Sequence, residues 1–93
     1  MDLQLQQKKV LITGGSKGIG KAIAKAFLDE RADVSIAARG LDALEEAKRE
    51  LGDINVYQCD VMNPKEREQL IATYIEEHQR IDVLVNNAGG SNG

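Results

Sequence analysis

Short apolar runs alternate with helix-spaced apolar residues along this chain. That alternation restricts the fold more than any other feature of its 93 residues. Val10-Leu11-Ile12 ends at Thr13-Gly14-Gly15, the pattern of a buried strand meeting a turn. From Gly18 onward, Ile19, Ala22, Ile23, Ala26 and Phe27 fall on one helical face. Asp33 to Arg39 reads as a second strand, and Leu41, Leu44, Ala47 and Leu51 mark a second helix closed by Gly52. Ile54 to Val61 is a third strand. Asn63, Pro64 and Glu66 then supply an N-cap, an N1 proline and an N3 carboxylate. The helix they open has Leu70, Ile71, Tyr74 and Ile75 for its buried face. Asp82-Val-Leu-Val-Asn-Asn-Ala-Gly-Gly90 is a fourth strand running into a glycine turn.

The order β-α-β-α-β-α-β predicts an α/β fold in which parallel strands are joined by right-handed crossovers. The near-continuous apolar runs of the first and fourth strands suit a sheet covered on both faces. Residues 1–93 make one domain at most, able to bury a little over ~60% of its unfolded surface. With 42% hydrophobic and 29% charged residues, the composition is that of an ordinary soluble domain. The net charge of −3 comes without any block of like charges, which argues against nucleic-acid or membrane-surface partners. One cysteine, Cys59, cannot form an internal disulfide, and the first residues lack a signal peptide's apolar core. A cytoplasmic location fits both.

Two phosphate-binding registers compete for the first glycine turn. Gly15 to Lys21 has the G-x-x-x-x-G-K spacing of a P-loop, but Ala22 stands where a magnesium-binding hydroxyl belongs. Asp60 is the strand-end acid that such a site would use. One residue earlier, Thr13-Gly14-x-x-x-Gly18-x-Gly20 places three glycines where a strand turns into a helix. Without Cβ atoms the backbone can approach a pyrophosphate, and the helix start offers free N–H donors. The same glycines also serve a plain tight turn, so other residues must decide.

The second register is similar to the T-G-x-x-x-G-x-G of the short-chain dehydrogenase/reductase family, which the chain resembles from Lys8 to Gly90. The resemblance implies a partial Rossmann fold with four parallel strands in the order 3-2-1-4. Three helices complete three α/β/α layers, helices one and two on one face and helix three on the other. It implies that Gly14, Ser16, Lys17, Gly18, Ile19 and Gly20 surround the cofactor pyrophosphate. It also implies that Asp60 accepts a hydrogen bond from the adenine amino group, with the Val61 backbone reaching the base. Asn86-Asn87-Ala88-Gly89 matches the family's N-N-A-G, a brace for the central sheet in which Asn87, Ala88 and Gly89 line the cofactor ribose. Where an acid would bind the adenosine 2′-hydroxyl, the chain carries Ala38-Arg39. Arg39, with Lys17, favours the 2′-phosphate of NADP(H) over NAD(H).

The family's catalytic Ser and Tyr-x-x-x-Lys pair has no counterpart here. Four residues after Tyr57 stands Val61, and four after Tyr74 stands His78. Tyr74 reads as a core residue, His78 as a charge near a helix C-terminus, and Cys59 as a small buried group. No catalytic residue and no metal ligand is assigned. The chain is expected to be the inactive, cofactor-binding portion of a longer oxidoreductase acting on a carbonyl or alcohol. Its fourth strand is expected to be an apolar edge that pairs with another copy. The alternative is a free-standing nucleotide-binding or protein-interaction module.

Overall fold

All seven expected elements form, in the expected order. The fold is that of a computed structural model, which describes residues 6–14 and 18–87. Strands β1 (Lys9–Thr13), β2 (Asp33–Ala38), β3 (Ile54–Gln58) and β4 (Val83–Asn86) form one parallel sheet in the order β3-β2-β1-β4. Helices α1 (Gly18–Asp29), α2 (Leu41–Leu51) and α3 (Pro64–His78) connect them.

Alternation along each strand splits the interior in two. Val10, Ile12, Val34, Ile36 and Ile54 pack with Ala24 of α1 and with Leu44 and Ala47 of α2. Leu11 and Ala37 point the other way, where Leu70 and Tyr74 of α3 meet them beside Cys59. Two helices therefore cover one face and a single helix the other, as the topology requires. Tyr74 and Cys59 are the core residues their positions suggested.

Three expectations need correction. The strands are shorter: β2 stops at Ala38 and β3 at Gln58, and although Cys59 still donates its N–H to the Ala38 carbonyl, Asp60 turns to bond Asn63 and Glu66. Helix α1 is rotated from the expected face. Gly20 and Ala24 are buried, with Ile23, Phe27 and Leu28 packed beside them, whereas Ile19 is 74% exposed and Ala22 and Ala26 face outward. The smallest residues occupy the line where helix and sheet approach most closely. Ile75 is likewise exposed at 38%; Leu70 and Tyr74, with Ile71 beside them, make the contact beneath α3.

Helix ends follow local chemistry. The Asn63 side chain accepts hydrogen bonds from the Lys65 N–H (2.9 Å) and the Glu66 N–H (3.2 Å), and Pro64 takes the first helical position. Gly52 ends α2 at φ 86° and donates its N–H to the Lys48 carbonyl at 2.8 Å. The short β4 is held in register at both ends. Below it, Asp82 accepts from the Lys9 N–H (2.7 Å) and donates its own N–H to the Lys9 carbonyl (2.8 Å). That first bond holds the Asp82 carboxyl below its usual range.

His78 does more than end α3. Its side chain is 12% exposed, its Nε2 lies 2.9 Å from the Tyr57 hydroxyl, and its ring packs 4.2 Å from that of Tyr74. Tyr57 in turn donates to Glu77 at 2.5 Å, so the end of α3 is clamped to β3.

Candidate functional site

The parallel sheet brings all four strand C-termini to one edge. Register fixes the alignment: Thr13 pairs with Ala37 and with Asn86, and Ala38 pairs with Gln58. Gly14, Arg39, Asp60 and Asn87 each follow one of these ends, so residues up to 73 positions apart share a rim. Sheet order reverses between β1 and β4, the place where open α/β sheets bind ligands.

The β1–β4 junction is built by its polar side chains. The Thr13 hydroxyl donates to Asn86 Oδ1 (3.1 Å) and, more weakly, to the Val85 carbonyl (3.4 Å). The Asn87 N–H donates to the Thr13 carbonyl at 3.0 Å, and Asn87 Nδ2 donates to the Gly14 carbonyl at 3.2 Å. The asparagine pair thus braces two strand ends, and Asn87 also holds the first residue of the glycine turn. Gly14 itself donates to the Ala37 carbonyl at 2.7 Å and sits at φ 75°, a left-handed backbone that suits glycine.

Gly18 opens α1 at φ 39°, and a Cβ built there would meet no atom within 4 Å. Ile19 stands exposed beside it, while Gly20 is buried where the helix meets the sheet. No acidic residue occupies the first turn of α1, so nothing there offsets the positive end of the helix. Ser16, Lys17, Ala88 and Gly89 lie outside the described residues.

Arg39 is exposed and forms no ion pair with a described residue. Its carbonyl accepts from Gln58 Nε2 at 3.1 Å, which ties the end of β2 to that of β3. Asp60 is held by the start of α3. Its carbonyl accepts from the Asn63 N–H (2.9 Å), its Oδ1 from the Met62 N–H (3.1 Å), and its own N–H donates to Glu66 Oε1 (2.9 Å). Arg67 Nη1 donates to the Val61 carbonyl at 2.8 Å. These two residues of α3 were not anticipated as part of the rim. Glu66 at the N3 position was the available signal, but it reaches past the N-cap to Asp60.

Backbone donors at the start of α1, Gly14 in a left-handed conformation, an exposed guanidinium and a carboxylate suit a phosphorylated nucleotide. They do not suit proton transfer. Tyr57 and Tyr74 belong to the core beneath α3, and neither lies on the rim. Burial pushes the Cys59 thiol up from its ordinary value, away from thiolate chemistry. Among the described residues no cluster of metal-ligating side chains occurs.

Comparison with known proteins points the same way. The family pattern of short chain dehydrogenases matches residues 8–93. An uncharacterized oxidoreductase, DltE, of Bacillus subtilis is 42% identical over 87 residues, covering 94% of this chain and 34% of that protein. An NADP-dependent 3-hydroxy acid dehydrogenase, YdfG, of Escherichia coli is 42% identical over 82 residues, covering 86% and 33% respectively. The crystal structure of a short chain dehydrogenase from Bacillus anthracis superposes with a TM-score of 0.85 at 43% identity, covering 92% of this chain and 36% of that one. The chain spans about a third of the length of these relatives.

Proposed function

Because the chain belongs to the short-chain dehydrogenase family, we propose that its strand-end rim is the adenosine and pyrophosphate half of an NADP(H) site. The cofactor supplies hydride chemistry, and the protein that contains this segment exchanges a hydride with a carbonyl or alcohol substrate. The observation that carries this reading is the convergence of Gly14, Arg39, Asp60 and Asn87 on one edge, beside the reversal of strand order. Gly14, Ser16, Lys17, Gly18, Ile19 and Gly20 hold the pyrophosphate. Asp60 and Val61 take the base, and Asn87, Ala88 and Gly89 take the ribose.

Preference for the 2′-phosphate rests on Arg39, an exposed cation free of any described carboxylate, at the place an acid would occupy to bind a free ribose. The NADP-dependent relative is consistent with it. In the full-length protein, Arg39→Ala is expected to weaken NADPH binding about tenfold or more, the worth of a charge-assisted hydrogen bond. NADH affinity should change far less. Titration of both cofactors into both proteins checks this, and a wild type that prefers NADH overturns it.

The 93-residue chain by itself is inactive on this reading, because it carries no Tyr-x-x-x-Lys. A reducing, cytoplasmic setting suits its single buried thiol. Strand β4 pairs with β1 alone among the described strands, and Leu84 is 53% exposed. Beside it, between β4 and α3, lies a cavity of about 720 Å³ lined by Leu70, Ile71, Met62 and Leu84 among others. Such an edge calls for cover by further chain or by a second copy. Size-exclusion chromatography with light scattering is expected to show the 93-residue chain self-associating; a stable, cooperative monomer would refute this.

A further inference from the structure

We infer that Glu66, in the first turn of α3, is a positioning residue that sets which base the Asp60 loop accepts; this rests on the dinucleotide reading above. Four hydrogen bonds shape the loop. Glu66 Oε1 accepts from the Asp60 N–H, the Asn63 N–H donates to the Asp60 carbonyl, the Met62 N–H to Asp60 Oδ1, and Arg67 Nη1 to the Val61 carbonyl. Two groups remain without a partner among the described residues: the acceptor Asp60 Oδ2 and the donor Val61 N–H.

An acceptor and a donor one residue apart complement one edge of adenine, which offers an amino donor beside a ring-nitrogen acceptor. Hypoxanthine inverts that edge, with a carbonyl acceptor beside a ring N–H donor. It would set its carbonyl against Asp60 Oδ2 and its N–H against the Val61 N–H. The discrimination depends on the spacing of the two groups, which is a property of the backbone between Asp60 and Val61. Glu66 holds the N–H at the start of that stretch. Asn63 and Met62 close the turn on the other side, so the Glu66 bond is the one that ties Asp60 back to the helix.

Charge alone predicts the opposite of what this role predicts. Glu66 is an anion beside a proposed site for a polyanionic ligand, so deleting it should tighten binding if electrostatics decide. A positioning role requires that deletion weaken binding, and selectively for adenine.

The test uses the full-length protein that contains this segment, ¹⁵N-labelled, titrated with NADPH and with its deamino analogue, in which hypoxanthine replaces adenine. Wild type is expected to favour NADPH by about tenfold, the worth of a hydrogen bond to a charged group. In Glu66→Ala that ratio should fall to about twofold or less, with the Asp60 and Val61 amides losing their ligand-induced shifts. Glu66→Gln, whose amide oxygen accepts the same N–H, should restore the ratio. Circular-dichroism melting confirms that each variant is folded; a general loss of stability would weaken both ligands alike and leave the ratio unmoved. A wild type that binds both equally, or a Glu66→Ala that keeps the preference, overturns the role of Glu66 while leaving the dinucleotide reading intact. A wild type that binds neither overturns that reading and the inference with it.

Discussion

Replacing Leu11 by alanine is expected to cost the fold about 3 kcal/mol, within the range for leucine deletions from a close-packed core. Leu11 is fully buried at the centre of the sheet, against Ala37, Leu70, Cys59 and Tyr74. A hole there is relieved only if α3 settles toward the sheet. Both of its ends resist that movement: Glu66 and Arg67 bond the Asp60-Val61 backbone, while Glu77 and His78 meet the Tyr57 hydroxyl. A domain of this size is stable by about 5–14 kcal/mol, so the loss is a large fraction of the total. Leu41→Ala is the matched control, since that side chain is half exposed at the start of α2, away from the β4 edge, and should change stability by less than about 0.5 kcal/mol. The chain has no tryptophan, so urea unfolding is best followed by far-ultraviolet circular dichroism. A Leu11→Ala loss below about 1 kcal/mol would mean that α3 is not anchored as described.

The same contacts show what could be read from the residues and what could not. The sheet order is a long-range property that only the family resemblance supplied, but the strand and helix periods of 2 and 3.6 are local, and they suffice for the seven elements. The rim was legible for a similar reason: in a parallel sheet every strand end points to one edge, so Gly14, Arg39, Asp60 and Asn87 could be grouped by position alone. What escaped was set by tertiary contact. The sequence pattern extends the third strand to Val61; Cys59 still donates its N–H to the Ala38 carbonyl, but Asp60 and Val61 leave the ladder because Asn63 and Glu66 draw Asp60 into a turn. Two helical stripes were available in α1, Ile19-Ala22-Ile23-Ala26-Phe27 and Gly20-Ile23-Ala24-Phe27-Leu28. Only contact with the sheet selects the second, by favouring glycine and alanine at the closest approach. The pairing of His78 with Tyr57 joins residues 21 apart on different elements, and no spacing rule encodes it.

That pairing underlies the second large effect, a collapse in strong alkali. Burial pushes the Tyr74 hydroxyl up to about 12, the nearby Asp33 charge adds to the shift, and the Ser35 hydroxyl, close by but outside hydrogen-bond geometry, works against it. Burial likewise raises Tyr57, followed by its hydrogen bond to Glu77 and that carboxylate's charge. Below pH 10 the folded and unfolded chains both keep these protons, so their full contribution to stability is present. Between about pH 10 and 12 the unfolded chain releases them while the folded chain retains them, and stability falls by roughly 1.4 kcal/mol per pH unit for each fully buried group. Partial exposure of Tyr57 reduces its share. Lys21, raised by its bond to Glu50, loses stability in the same direction, so the tyrosine part must be isolated by substitution. Tyr57→Phe breaks the bonds to Glu77 and His78 and should cost about 1 kcal/mol at pH 7 while flattening the alkaline slope. Tyr74→Phe should also flatten the slope, yet at pH 7 it should be neutral or stabilising by about 1 kcal/mol. The hydroxyl it removes is buried with no hydrogen-bond partner among the described residues. Urea midpoints measured from pH 8 to 11.5 decide the matter: a wild type and Tyr74→Phe with parallel slopes above pH 10 would show that this hydroxyl is not buried as the fold places it.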